Sequence, residues 1–157
     1  MKKTMRLLAF ILVCELAGIM SSFFTTPSIP GWYAGLAKPP FNPPNWVFAP
    51  VWTILYVLMG LSAYLVYEKG QKRKEVRVAL AVFAGQLVLN ALWSTVFFGT
   101  HQILGAVVLI VVLWAMILAT MLLFSRISKA ASYLLVPYSL WVSFAAVLNI
   151  SLYVLNR

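Results

Sequence analysis

Residues 103–124 read ILGAVVLIVVLWAMILATMLLF, without one charged side chain. About 20 apolar residues in a helix cross the roughly 30 Å hydrocarbon core of a bilayer, and this run is that long. It is apolar on every side of a 3.6-residue period, unlike a surface helix with one greasy stripe. Four further runs of the same kind flank it, at about 7–24, 46–67, 78–98 and 131–155. Lipid offers no hydrogen bonds to a backbone, so only helices and closed barrels span it, and long unbroken apolar runs fit helices. The expected fold is an all-α integral membrane protein, a single transmembrane domain over 1–157 built as a five-helix bundle. The short Gly99-Thr100-His101-Gln102 connection makes the third and fourth spans antiparallel neighbours. No duplicated half of the transporter kind is visible.

Composition agrees. Of 157 residues, 63% are hydrophobic and 10% charged, with a mean hydropathy of +0.94. A soluble domain has about 45–50% apolar and about 25% charged residues, so a soluble globule, a disordered chain and a disulfide-stapled miniprotein are all excluded. The net charge of +9 is organised by topology. Lys2, Lys3 and Arg6 precede the first span, and Lys69, Lys72, Arg73, Lys74 and Arg77 lie between the second and third. Arg126 and Lys129 lie between the fourth and fifth, and only Lys38 and Arg157 fall elsewhere. This asymmetry places the N-terminus in the cytoplasm and leaves no basic face for nucleic acid. The N-terminus imitates a signal peptide, but no small-x-small cleavage site follows and Val13-Cys14 is a poor lipoprotein signal. A retained first helix in a prokaryotic cell membrane is expected.

The segment 25–45 is the oddest. It carries six of the eight prolines, which fix φ and oppose helix, so a semi-rigid connection is expected. Trp32, Tyr33, Phe41 and Trp46 make it unusually aromatic. Two readings stand: interfacial anchors, or a structured lid over a cavity between helices.

Polar and aromatic residues recur at helical spacing in three spans. The third has Gln86, Asn90, Trp93, Ser94 and Phe97. The fifth has Pro137, Trp141, Ala145 and Asn149 with Tyr138 adjoining, and the second has Pro50, Trp52, Thr53 and Tyr56. Amides in hydrocarbon need partners and should point inward. As simple helix–helix glue each contact is worth about 0.6 kcal/mol. Interleaved with indoles and phenols, they also suit an apolar cavity with a few orienting hydrogen bonds, shaped for a flat polycycle such as a porphyrin or a sterol. Pro50 and Pro137 each free a backbone carbonyl and permit a bend.

Glu15, near the middle of the first span, is the one acid deep in the bilayer. Its simplest role is a hydrogen bond to a neighbouring helix, and a functional one, such as a proton-coupled exporter would need, is the alternative. Glu68 and Glu75 flank the basic loop and should form exposed ion pairs of little worth. His101 stands alone, so no metal site is expected. Ser94, Ser139 and Ser143 have no histidine base at their depth, which excludes a hydrolase triad. Ala81 and Gly85, with Ala84 beside them, form a small-residue surface suited to a homodimer. Val147, Tyr153 and Arg157 fit a loose sterol-contact pattern.

Several of these residues fall in spaced motifs. Trp32-Tyr33, Leu36, Lys38-Pro39, Pro43-Pro44, Phe48, Val51-Trp52, Leu55-Tyr56 and Met59-Gly60 resemble the first half of the TspO/MBR family, the tryptophan-rich sensory or translocator proteins. Gln86-Leu87, Leu89-Asn90, Trp93-Ser94 and Phe97-Phe98-Gly99 resemble its third helix. Leu135, Pro137-Tyr138, Trp141, Phe144-Ala145 and Leu148-Asn149 resemble its fifth. The resemblance implies five transmembrane helices, a usual dimer and a pocket capped by the first loop. It also implies porphyrin or heme, sterols and benzodiazepine-type compounds as ligands, with no resident cofactor. Carried over by motif, Trp32, Trp52, Tyr56, Gln86, Asn90, Trp93, Tyr138, Trp141, Ala145 and Leu148 would line the pocket. Trp52 and Trp141 match tryptophans implicated in light-dependent porphyrin breakdown. The chain departs from the animal sterol motif, with Ile150 where its tyrosine would stand.

Overall fold

The computed structural model describes residues 2–157 and is helical, with no strand among them. The helices are α1 (Lys3–Ser28), α2 (Asn45–Tyr67), α3 (Lys74–Ser94), α4 (Ile103–Ser125), α5 (Lys129–Leu134) and α6 (Val136–Leu155). Two single π-helical turns, Ile29–Tyr33 and Thr95–Gly99, extend α1 and α3. Taken with those extensions, and with α5 and α6 as one bent rod, they make five spans long and apolar enough to cross a membrane. Their outer surface confirms the solvent: Phe23 is 71% exposed, Leu122 66% and Leu140 66%. Contiguous apolar surface of that kind is not sustained in water, so the protein is an integral, multi-pass membrane protein.

Around the bundle, neighbours run α1, α2, the bent α5/α6 rod, α4, α3 and back to α1. At the end holding the basic loops, Arg6 Nη1 donates to Glu68 Oε1 at 3.1 Å, tying the start of α1 to the residue after α2. The exposed Arg73–Glu75 pair is looser, at 3.7 Å. Ser62 Oγ donates to the Ala131 carbonyl at 2.6 Å and fixes α2 to α5. The core here is Met59, Ala63, Val66, Val76, Phe83, Ile117 and Phe124. At the opposite end a second cluster gathers Tyr33, Phe97, Ala106, Leu148 and Leu152.

Three boundaries differ from the sequence expectation. The lid segment is not extended over all of 25–45. α1 runs on through Pro27 to Ser28, and Pro30 sits at the start of the following π turn. Pro27 has no N–H to give the Phe23 carbonyl and Pro30 none to give the Thr26 carbonyl, and the helix runs on through both by widening into a turn closed by Ala34 N–H to the Ile29 carbonyl. Ser28 Oγ, donating to the Phe98 carbonyl at 2.7 Å, anchors this extension on the α3 end. The third span begins at Lys74 rather than 78. The fifth begins at Lys129 rather than 131 and is broken at Leu135. Pro137 has no N–H to give the Tyr133 carbonyl, and Leu135 closes the break with a bond to the Ser132 carbonyl. Pro50, by contrast, is absorbed within an uninterrupted α2.

The break positions the site. α2 packs along α5 but barely touches α6, so beyond Leu135 the rod leaves α2 and a space opens between them. The connecting segment covers that space and fastens itself at several points. Tyr33 Oη donates to Asn42 Oδ1 at 2.9 Å, and Lys38 Nζ lies 4.8 Å from the centre of the Tyr33 ring. Asn156, at the end of α6, accepts from Ala37 N and donates to Ala37 O, both at 2.9 Å. The aromatics of this segment divide: Trp46 and Phe41 are exposed, whereas Tyr33 is buried and lines the cavity. Asn156→Ala should remove the double clasp, raising amide hydrogen exchange around 36–38 several-fold while exchange in α4 stays unchanged. Equal exchange in the two proteins would mean the clasp holds nothing.

Candidate ligand-binding site

Under this cover lies a cavity of about 330 Å³ bounded by α1, α2, α3 and α6. Small-molecule sites run from about 300 to 1,000 Å³, so it is at the compact end. Its mouth is lateral: the exposed lining residues Ile19, Ser22 and Thr26 on α1 face Asn45, Ala49 and Thr53 on α2. The opening therefore lies between these two helices on the side of the bundle.

The walls are aromatic. Trp52 and Tyr56, one turn apart on α2, stack with centroids 5.6 Å apart. Trp93 stacks on Phe97 at 5.2 Å along the end of α3, where the π turn carries Phe97 inward. Trp141 meets Phe48 edge-on at 6.0 Å, bridging the gap between α6 and α2. Gly18 lets α1 close on this wall, since a Cβ there would fall 2.4 Å from Tyr56 Cε2.

Behind the wall runs a buried polar chain. Tyr56 Oη donates to Asn90 Oδ1 at 2.6 Å, and Asn90 Nδ2 donates to Tyr138 Oη at 2.9 Å. Tyr138 in turn donates to Gln86 Oε1 at 2.8 Å. Each group has one role, donor or acceptor, at each link, so the chain fixes the rotamers of α2, α3 and α6 together. Trp93 Nε1 donates to Asn149 Oδ1 at 3.0 Å, joining α3 to α6.

Of the residues expected in the wall, Trp52, Tyr56, Asn90, Trp93, Trp141, Ala145 and Leu148 line the cavity. Three do not. Gln86 and Tyr138 are fully buried behind it and act through Asn90. Trp32 caps the cover from above, stacked on His101 at 4.3 Å and edge-on to Phe97. Val147, Tyr153 and Arg157 also lie outside the lining. On α3, Ala81 and Ala84 are exposed, but the space over Gly85 is taken by Met116 Cε of the same chain. Tyr33, one of the aromatics expected in a lid, lines the cavity, as do residues that the sequence reading did not place there: Phe48 and Leu152, and the hydroxyls Ser21, Ser22 and Thr25 on α1. Four hydroxyl residues within 21–26 of an otherwise apolar helix were the available signal.

Three buried polar atoms among the lining residues have no partner: Glu15 Oε1, Trp141 Nε1 and Asn149 Nδ2. For Glu15 this corrects the expectation of a hydrogen bond to a neighbouring helix. The hydroxyls nearby point their protons at helix carbonyls instead, Ser21 to Ala17, Ser22 to Ile19 and Thr25 to Ser21. No group of three metal-ligating side chains occurs among the described residues.

Comparison with known proteins agrees with this architecture. The family model described as TspO/MBR family matches residues 10–155. The chain is 46% identical to the tryptophan-rich protein TspO of Chlorobaculum tepidum, over 99% of this chain and 98% of that one. It is 40% identical to the translocator protein of Bos taurus, over 89% and 83% of the two chains. With the tryptophan-rich sensory protein of Cereibacter sphaeroides it shares 41% identity, over 80% and 77%.

Proposed function

Because the chain belongs to the TspO/MBR family, we propose that its cavity holds a tetrapyrrole such as protoporphyrin IX or heme, in tetrapyrrole homeostasis or stress response. The observation that carries this reading is the cavity's make-up: indole and phenol faces for a flat conjugated ring, and two unpaired N–H groups on α6. Trp141 Nε1 and Asn149 Nδ2 are donors in want of acceptors, and a carboxylate or carbonyl on the guest's rim supplies them. A sideways mouth lets the rest of a large ring project between α1 and α2. Sterols and benzodiazepine-type compounds are further guests of the same greasy volume. The N-terminus faces the cytoplasm, by the distribution of Lys and Arg. A second copy packs on the exposed Ala81–Ala84 face of α3.

The test is a titration of the full chain in nanodiscs with protoporphyrin IX, reading tryptophan fluorescence. Saturable quenching is expected. Trp141→Phe and Trp52→Phe should each weaken it by about three- to tenfold, since phenylalanine keeps a ring but loses area and the N–H. Quenching that never saturates, or affinities unchanged in both variants, would remove the reading.

A second reading is favoured by one observation: Trp52 and Trp141 both line the cavity, so an excited porphyrin there touches two oxidisable indoles. On that reading the protein degrades porphyrin in light. Loss of porphyrin absorbance under illumination, absent in the dark and in Trp141→Phe, is its signature.

A further inference from the structure

Glu15 is the one carboxyl away from the ends of the five spans, Glu75 lying in the first turn of α3, and it lines the cavity with Oε1 buried and unpaired. An acid inside a membrane protein is normally paired with a partner, because an unmatched polar group in low dielectric is costly. This chain supplies no such partner. The ion pairs among its described residues are Arg6–Glu68 and Arg73–Glu75, both outside the cavity. Hydroxyl protons in the same lining are engaged: Ser21, Ser22 and Thr25 donate to carbonyls, and Tyr56 donates to Asn90. A guest in the cavity can supply the missing donor. The surrounding surface favours a charged one, since the faces of Trp52 and Tyr56 in the same lining attract cations.

We propose that the cavity takes a second class of guest, a lipophilic aromatic amine whose protonated nitrogen pairs with the Glu15 carboxylate. The rings of such a molecule occupy the aromatic end, and its nitrogen reaches α1. This needs a cavity that admits guests but not that the first guest be a tetrapyrrole. The two readings therefore fail separately.

The probes are a matched pair, 9-aminomethylanthracene and 9-anthracenemethanol, which differ by an ammonium against a hydroxyl. Each is titrated at pH 7 into the full chain in zwitterionic-lipid nanodiscs, with energy transfer from tryptophan as readout and empty nanodiscs subtracted. The wild type should bind the amine at least tenfold more tightly than the alcohol. Glu15→Gln, nearly identical in size, should bring the two within about twofold of each other while the alcohol still binds saturably. The alcohol thus reports that the variant is folded. Equal affinities in the wild type, binding of neither probe, or a preference that survives Glu15→Gln would each overturn the proposal. Protoporphyrin IX failing to bind while the amine preference stands would sink only the tetrapyrrole reading.

Discussion

Gly60→Val is expected to lower the melting temperature of the protein in detergent by roughly 6–12 °C, from a loss of about 3 kcal/mol. A Cβ at position 60 would lie 2.5 Å from Ile11 Cα, 2.7 Å from Ile11 N and 2.9 Å from the Phe10 carbonyl oxygen. All three are backbone atoms of α1, so no side chain can swing aside. Overpacking usually costs about 1–3 kcal/mol when neighbours can adjust. Here the only adjustment is to push the two helices apart, which puts the cost at the upper end. It also widens the α1–α2 mouth of the cavity, so guest affinity should fall with stability. Gly31→Ala is the control, since nothing lies within 4 Å of a Cβ there. Circular dichroism melts of the two variants and the wild type decide the matter. A shift for Gly60→Val no larger than for Gly31→Ala would show that the helices are not in contact at this point.

The existence and number of spans follow from burial alone, because runs such as 103–124 have no other stable home than lipid. The path of 25–45 does not, because the rule that prolines oppose helix says nothing about where in a helix they fall. Pro27 and Pro30 lie within one continuous helical rod, which passes through both by widening into a π turn. Pro137 obeys the rule and breaks the fifth span, and Pro50 does not break the second. The difference lies in tertiary packing that a single chain of letters does not contain.

The cavity was legible in part for a related reason. Helical spacing selects a face, and it put Asn90, Trp93 and Gln86 on one face of α3. It gives no depth along the direction into the bundle. Gln86 and Asn90 are one turn apart, yet only Asn90 reaches the lining, because the Tyr138 phenol sits over Gln86. Conversely, Ser21, Ser22 and Thr25 enter the lining because α1 leans on the bundle through Gly18 and Gly60. The break at Leu135 also decides the shape. Without it α6 would continue along α2 as α5 does, and the space between Trp52 and Trp141 would close.

Asn90→Leu is expected to have the largest effect on the site itself, and its comparison with Tyr138→Phe separates wall from support. Leucine matches asparagine in size but ends both hydrogen bonds, leaving Tyr56 Oη without its acceptor and Tyr138 Oη without its donor. Each orphaned group in a buried site costs about 1–3 kcal/mol. Polar contacts in membrane bundles average nearer 0.6 kcal/mol, because the unfolded state in lipid also finds partners. A net destabilisation of about 2 kcal/mol is the expected balance. Affinity should suffer more, by tenfold or greater for protoporphyrin IX, since Asn90 lines the cavity and is the acceptor that holds the Tyr56 hydroxyl. Tyr138→Phe leaves the Tyr56–Asn90 bond in place and breaks only the links behind it. It should therefore reduce stability by a similar amount while lowering affinity less than threefold. Chemical denaturation and the quenching titration, run on both variants, test this split. If Tyr138→Phe weakened binding as severely as Asn90→Leu, Tyr138 would have to touch the guest, and the boundary drawn between the aromatic wall and the polar chain behind it would be wrong.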